Sequence, residues 1–176
     1  MRIHHLAALL LAALLAACAG GPPPLQAIDR RVDLERFMGD WYVVASIPIF
    51  LEEGAHDAVE SYRLSPEGVI ETTYTFRKGS FDAPLKTFTP KGFVENTQTN
   101  AEWGMQFVWP FRATYLVIYL DEAYQRTIIG VPSRRWVWLM SRTPDVPAEE
   151  YAAMLEAVAA AGYDPALLQK IPHRPR

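Results

Sequence analysis

The chain of 176 residues contains a single cysteine, Cys18, and only four histidines: His4, His5, His56 and His173. A lone cysteine excludes an intramolecular disulfide. The histidines do not show the spacing of a metal-ligand set, because two lie near the N-terminus and one lies in the C-terminal tail. A glycine-rich phosphate loop and a serine elbow are also missing. The sequence therefore predicts no metal, no cofactor and no catalytic residue.

Basic residues are also scarce. The chain has 17 Lys and Arg against 20 Asp and Glu, and without Arg2 the remainder carries 16 basic and 20 acidic residues, a formal charge of −4. This balance argues against a nucleic-acid partner. The acidic pairs Glu52-Glu53, Asp121-Glu122 and Glu149-Glu150 fall in predicted loops or at a helix start. They are interpreted as solvated surface or as an acidic first helical turn.

Long apolar runs are limited to the N-terminus, where Leu6–Ala17 is made only of Leu and Ala. This run has the length of a signal-peptide core and is too short to span a bilayer comfortably. The sequence Leu15-Ala16-Ala17-Cys18 resembles a bacterial lipobox, which implies a lipoprotein signal peptide over residues 1–17 and lipid attachment at Cys18. The alternative is an ordinary secretory peptide that happens to contain a cysteine.

Acylation accounts for the cysteine without leaving a reactive thiol in an oxidising compartment. Residues 18–31 are then a lipidated N-terminus with a Gly/Pro tether. Because Ala19 rather than Asp follows the cysteine, the lipobox resemblance implies the bacterial outer membrane, with the folded domain in the periplasm.

Short alternating runs separated by turn residues dominate the single domain expected over residues 32–172. The eight predicted strands are Trp41–Ile47, Asp57–Leu64, Val69–Arg77, Leu85–Val94, Glu102–Val108, Ala113–Leu120, Gln125–Val131 and Trp136–Arg142. Hairpin-length links between them indicate an all-β fold, an antiparallel up-and-down β-barrel.

One amphipathic helix is predicted over Ala148–Ala161, with Gly162 as its C′ residue. The strand Ala113–Leu120 is apolar on both faces, and the strand Trp136–Arg142 behaves similarly. Burial on both faces requires a cover outside the barrel. We therefore expect the helix to pack on the outside of the late strands.

Three segments resemble the motifs of the lipocalin family. They are Gly39-Asp40-Trp41-Tyr42, Tyr119-Leu120-Asp121-Glu122-Ala123-Tyr124 and Trp138-Leu139-Met140-Ser141-Arg142-Thr143-Pro144. The second segment departs from the family pattern with Leu120 where a threonine is common. The chain is most similar to the bacterial outer-membrane (Blc-like) lipocalins and, more distantly, to apolipoprotein D. The resemblance implies structural roles for Gly39, Trp41, Asp121 and Arg142, with the arginine stacked over the indole at the closed end of the barrel.

The resemblance also implies a hydrophobic ligand, a fatty acid or a lysophospholipid, inside the barrel. Strand alternation combined with the apolipoprotein D pattern predicts a set of inward, ligand-binding residues. They are Val43, Ala45, Tyr62, Tyr74, Trp103, Met105, Phe107, Leu116, Ile118, Trp136, Trp138 and Met140. The alternative is that these side chains simply fill the core of the barrel.

Glu60 lies two residues before Tyr62 on the same predicted strand, so both are expected to point inward, where an unpaired carboxylate is costly. It could face water at the open mouth, meet a ligand head group, or be displaced by a bulge. The mouth is the favoured interpretation.

The predicted function is binding, storage or transport of a lipid, without catalysis, by a monomer or homodimer at the outer membrane. One alternative is an enzyme on the same scaffold, such as a lipid isomerase or de-epoxidase. Another is an envelope lipoprotein with a filled barrel whose surface binds a protein partner.

Overall fold

The computed structural model describes residues 23–175, so the predicted signal peptide, Cys18 and the first part of the tether lie outside the described residues. Within that range short links join the helices and strands. They are α1 (Leu34–Phe37), β1 (Gly39–Ile47), β2 (Ala55–Leu64), β3 (Val69–Lys78), β4 (Leu85–Phe88), β5 (Lys91–Val94), β6 (Glu102–Val108), β7 (Phe111–Leu120), β8 (Arg126–Gly130), β9 (Val137–Ser141), α2 (Ala148–Ala160) and β10 (Gln169–Lys170), with single 3-10 turns at Phe50–Glu52 and Pro165–Leu167.

The strands pair antiparallel in chain order, and β9 returns to pair with β1 from Tyr42↔Ser141 to Ile47↔Val137. This last pairing closes the sheet into a barrel. β4 and β5 together form the fourth barrel strand, because both pair with β3. The sequence predicts one strand there; the interruption contains Pro90, which has no N–H to donate to the ladder. The predicted eight-stranded antiparallel barrel is confirmed.

The helix α2 lies outside the barrel, as predicted. Its buried residues Met154 and Val158 belong to an outer cluster that also contains Leu116, Val137 and Leu139 of the late strands. A second, larger cluster lies inside the barrel and is built around Trp41, Trp103 and other inward residues of the barrel strands. The barrel wall therefore separates two apolar layers, which explains why its late strands show no alternation.

Asp33 and Gly162 cap the two helices, and Gly162 does so as predicted. The side chain of Asp33 accepts a hydrogen bond from the backbone N of Arg36 at 3.2 Å and caps α1. Gly162 follows α2 with φ +83°, a left-handed conformation that glycine adopts without steric cost. No helix in the described part of the chain is long and apolar enough to cross a membrane.

Tyr163, just after α2, fastens this segment to the barrel. Its buried hydroxyl accepts a hydrogen bond from Val131 N at 3.1 Å and donates to Trp136 O at 3.1 Å. Tyr163→Phe is expected to lower the free energy of unfolding by about 1–2 kcal/mol, because it leaves these buried backbone groups without a partner. Urea unfolding measures the change, and Tyr151→Phe, on the half-buried face of α2, is the control. Equal effects of the two substitutions would contradict the assignment.

Candidate functional site in the barrel lumen

One end of the barrel is closed by Trp41 and Arg142. The indole is fully buried, and its Nε1 donates a hydrogen bond to Phe37 O at 2.8 Å. The Arg142 guanidinium carbon lies 3.7 Å from the centroid of the indole ring, in cation–π geometry. The guanidinium thus covers the ring from outside the lumen.

The same guanidinium holds the chain that enters the barrel. It donates hydrogen bonds at 2.8–3.0 Å to four backbone carbonyl oxygens of one short segment, those of Arg36, Phe37, Met38 and Asp40. Burial lowers the pKa of Arg142, and the nearby Asp40 carboxylate opposes that shift. Arg142 Nε also donates to Tyr124 O at 3.3 Å, so five carbonyl oxygens meet the planar fork of donors that only arginine presents.

The other two motif residues occupy turns. Gly39 has φ +94°, and a Cβ at this position would lie 3.4 Å from Arg142 Nη1. Asp121 Oδ1 accepts hydrogen bonds from the backbone N of Gln125 at 2.6 Å and of Arg126 at 3.2 Å, which shapes the β7–β8 hairpin. The hairpin therefore forms with Leu120 in place of the common threonine.

A column of aromatic rings runs up the lumen from the closed end. Phe37 contacts Trp103 edge to face at 5.3 Å between ring centroids. Trp103 then stacks on Tyr115 at 5.9 Å, and Tyr115 stacks on Trp138 at 6.0 Å near the open end. Offset and edge-to-face ring pairs are the favoured arrangements of aromatic side chains.

The two halves of the lumen differ in how tightly they are packed. Phe37, Trp41 and Trp103 in the closed half are 0% exposed. In the middle of the barrel Tyr115 retains 6% and Tyr74 retains 7% exposure, and Trp138 above them is only half-buried. Phe76, one inward position nearer the mouth than Tyr74, is again 0% exposed, so the residual exposure lies at the middle of the lumen and at Trp138.

Glu60 lies at the middle of the lumen, where it is the strand partner of Trp41 on one side and of Tyr74 on the other. Its Oε2 accepts a hydrogen bond from the Tyr115 hydroxyl at 3.1 Å, and that hydroxyl is 2.6 Å from the hydroxyl of Tyr62. Desolvation raises the pKa of Glu60 from 4.5 to about 7, against the opposing effect of its tyrosine hydrogen bonds. The favoured interpretation of a water-facing position at the mouth is wrong, because Glu60 is only 8% exposed and is held by a lumenal tyrosine.

Glu52 is a second buried carboxyl, and its predicted place on the solvated surface is wrong. It is 8% exposed, and its Oε2 accepts a hydrogen bond from Trp138 Nε1 at 2.9 Å. Desolvation raises its pKa from 4.5 to about 7, more strongly than the Trp138 hydrogen bond lowers it. The 3-10 turn Phe50–Glu52 folds the side chain inward, while Lys78 Nζ donates to Phe50 O at 3.2 Å on the outside.

Tyr74 on β3 is the strand partner of Glu60 on β2. Its buried hydroxyl has no hydrogen-bond partner among the described residues. Burial raises the pKa of this phenol, and the charges of Glu52 and Glu60 raise it further, so both carboxylates act on it. An unpaired buried hydroxyl is costly and requires an explanation.

The structure places most of the predicted inward residues in the lumen. The lumenal cluster contains Val43, Tyr62, Tyr74, Trp103, Met105 and Met140, with Trp138 packed against it. The remaining five predictions require correction: Ala45, Phe107, Leu116, Ile118 and Trp136.

Bulges and register explain these corrections. The β1–β9 register shifts between Val43 and Ala45, so Ala45 lies in the outer cluster. In β7 the inward residues are Tyr115 and Val117 rather than Leu116 and Ile118, which pack on the outer layer.

Two corrections concern strand ends. The β6–β7 register shifts between Met105 and Val108, and Phe107 near the hairpin tip is 62% exposed. Trp136 precedes β9 and lies 5.1 Å from the guanidinium of Arg135, and its carbonyl accepts from Tyr163. Neither side chain belongs to the lumenal cluster.

Sequence reasoning missed Tyr115 and Glu52. The strand around Tyr115 is apolar on both faces, so the sequence does not show which of its residues face the lumen. Glu52 sits in a loop beside a second acidic residue, a pattern typical of solvent. Tyr115 could have been found by counting back from Leu120 only with knowledge of the bulge between Val117 and Tyr119.

Two concavities of about 410 and 460 Å³ lie outside the lumen. The first is lined by Tyr42, Arg77 and His173, among others, and the second by residues around α1. Within residues 23–175 no group of three His, Cys, Asp or Glu side chains is placed to hold a metal ion.

An eight-stranded up-and-down barrel with one closed end and an aromatic interior defines a class of proteins that can hold one small ligand. The family of the Lipocalin-like domain matches residues 32–173, and the chain belongs to the lipocalins. Lipocalins typically bind small hydrophobic molecules.

Two curated relatives and one solved structure illustrate the match. The chain is 31% identical over 153 residues to temperature-induced lipocalin-1 of Arabidopsis thaliana, covering 80% of this chain and 79% of the relative. It is 29% identical over 135 residues to the outer membrane lipoprotein Blc of Escherichia coli K12, covering 75% and 74%. Insecticyanin of the tobacco hornworm Manduca sexta shares the fold, with a TM-score of 0.68 at 12% identity and 86% coverage of each chain.

Proposed function

We propose that this lipocalin binds a fatty acid or a lysophospholipid in the upper half of its barrel and stores or transports it without catalysis. The main support is the difference in burial between side chains at different heights in the lumen. The closed half is tightly packed, and Phe76 near the mouth is also fully buried. Tyr74 and Tyr115 retain 6–7% exposure and Trp138 is half-buried, so a ligand would enter along these three rings. An acyl chain would bury apolar surface there, at about 0.8 kcal/mol per methylene, with rearrangement of the rings and association offsetting part of the gain.

We further propose that the protein acts at the bacterial outer membrane, anchored through lipid on Cys18. The lipobox-like segment supports this location, and the Escherichia coli relative carries the name outer membrane lipoprotein. Two or more acyl chains would give stable anchoring.

Quenching of tryptophan fluorescence by a brominated lysophospholipid tests the lumenal site. We expect saturable quenching with a Kd of about 1 µM, and Trp138→Phe should remove most of it. Trp136→Phe is the matched control, because this neighbouring indole lies outside the lumenal cluster. Native mass spectrometry of the full chain from its membrane should show a retained lipid of unchanged mass over time.

Quenching carried by Trp136, or no saturable quenching, would contradict the proposed site. Conversion of the retained lipid to a product of different mass or retention time would replace the binding role with an enzymatic one. An empty, folded protein that captures no lipid would favour the alternative of a filled barrel.

A further inference from the structure

The lumen presents oxygen atoms from three separate elements. Glu52 comes from the turn after β1, Glu60 from β2 and Tyr74 from β3. We propose that these three side chains form a binding site for a primary ammonium group, so that the barrel also takes amphiphilic amines with the head group inward. The inference rests on the proposed function to the extent that the lumen must admit a ligand.

The unpaired hydroxyl of Tyr74 is the observation that points to a missing ligand. The residue is 7% exposed, and its hydroxyl has no partner among the described residues. Tyr62 and Tyr115 hydrogen-bond Glu60, and Trp138 and the Ile49 backbone hydrogen-bond Glu52. Since a carboxylate offers about four acceptor positions, both retain capacity for further donors.

A primary ammonium matches this arrangement in donor count. It carries three N–H donors and no acceptor, and the site offers two carboxylates and one phenolic oxygen. The ring of Trp138, which stacks on Tyr115 at 6.0 Å and bonds Glu52 through its Nε1, adds aromatic surface beside the carboxyl, and such surface attracts cations. The acyl or alkyl chain of the amine would then extend toward the mouth.

The charges around the site favour a cation over an anion. The titratable groups facing it are Glu52, Glu60, Tyr62, Tyr74 and Tyr115. Among the basic groups on the packed elements, Lys78 bonds the outside of the turn and Arg142 covers the outer face of Trp41. Lys86 on β4 places its ammonium 5.9 Å from the centroid of the Phe76 ring, against that ring rather than against a carboxyl. A carboxylate or phosphate head group would therefore be repelled here, and such lipids would enter tail first.

Binding of an amine should be coupled to the release of protons from the two carboxyls. Both carboxyls have a pKa of about 7 in the unliganded barrel because burial disfavours their charge. A cation between them favours the ionised form and lowers both values. Amine binding should therefore release protons near pH 6.5 and should strengthen as the pH rises to 8.

Calorimetry with three eight-carbon probes of equal chain length tests the site. The full chain is held in nanodiscs, empty nanodiscs serve as reference, and the probes are n-octylammonium, octan-1-ol and octanoate. We expect octylammonium to bind at least tenfold more tightly than the other two at pH 8. Heats measured in buffers of different ionisation enthalpy should show proton release at pH 6.5, and octyltrimethylammonium, which lacks N–H donors, should bind more weakly.

Glu60→Gln and Tyr74→Phe should each reduce the preference for octylammonium over octanol by fivefold or more. Glu102→Gln, which removes a carboxylate from the outward face of β6, should leave it unchanged. Glu52→Gln serves as a second carboxyl variant if Glu60→Gln does not fold. Thermal melting establishes that each variant is folded before titration.

The outcomes separate this inference from the proposed function. If octylammonium shows no preference while the brominated lysophospholipid still quenches Trp138, the ammonium site is wrong and the lipid site stands. If no probe of either kind enters the lumen, both fail. If a lumenal variant loses octanol and octylammonium binding equally, the side chain acts through general packing, which also overturns the ammonium site.

Discussion

Arg142→Ala is expected to lower the free energy of unfolding by about 3–4 kcal/mol and the melting temperature by about 10 °C. The substitution removes a guanidinium that donates to four carbonyl oxygens between Arg36 and Asp40 and lies 3.7 Å from the Trp41 ring. Those carbonyls would lose their partner, and the buried indole would be opened to water. Thermal melting and urea unfolding of the full chain measure the loss.

Two further variants show whether the loss comes from this geometry. Arg142→Lys should recover only a minor part of the stability, because an ammonium is a point charge and cannot reproduce the planar fork. Arg63→Ala removes an arginine whose side chain is 73% exposed and paired with Glu71, and should change stability by less than about 0.5 kcal/mol. A melting temperature of Arg142→Ala within 2 °C of the parent would show that the closed end does not depend on the guanidinium.

Most of the barrel follows from local patterns in the sequence. Alternation between turn residues locates the strands, and the loss of alternation in Ala113–Leu120 correctly implies an outer cover. The gap between β4 and β5 is the main departure, and Pro90 in the gap was visible in the sequence. Short strands of a closed sheet are predictable because each residue's face depends on its nearest neighbours.

The lumenal site is less predictable because each bulge changes which alternate residues of a strand face inward. A single extra residue moves Ala45 to the outer face, and Leu116 and Ile118 exchange roles with Tyr115 and Val117. Glu52 was missed for a different reason. Its burial depends on a turn that brings it to Trp138, a contact between residues 86 positions apart that no local pattern encodes.

The two lumenal carboxyls should make the folded state less stable as the pH rises. Each has a pKa of about 7 in the barrel, against 4.5 for an exposed glutamate. Between these values the folded chain holds a proton that the unfolded chain has released, so the free energy of unfolding decreases with increasing pH. The loss is complete just above pH 7 and amounts to about 3 kcal/mol for each group at 1.36 kcal/mol per pKa unit.

Glu60→Gln should remove its share of this pH dependence and stabilise the unliganded protein at pH 8 by about 2–3 kcal/mol. The amide oxygen can still accept from Tyr115, and no charge remains to be desolvated. Urea unfolding at pH 5 and pH 8 measures the change, with Glu102→Gln as the carboxyl control that should keep the parent's dependence. Equal stability of Glu60→Gln and the parent at pH 8 would show that Glu60 is solvated or paired. A gain would show that the barrel retains a destabilising carboxyl, which is the expected property of a group that serves a ligand rather than the fold.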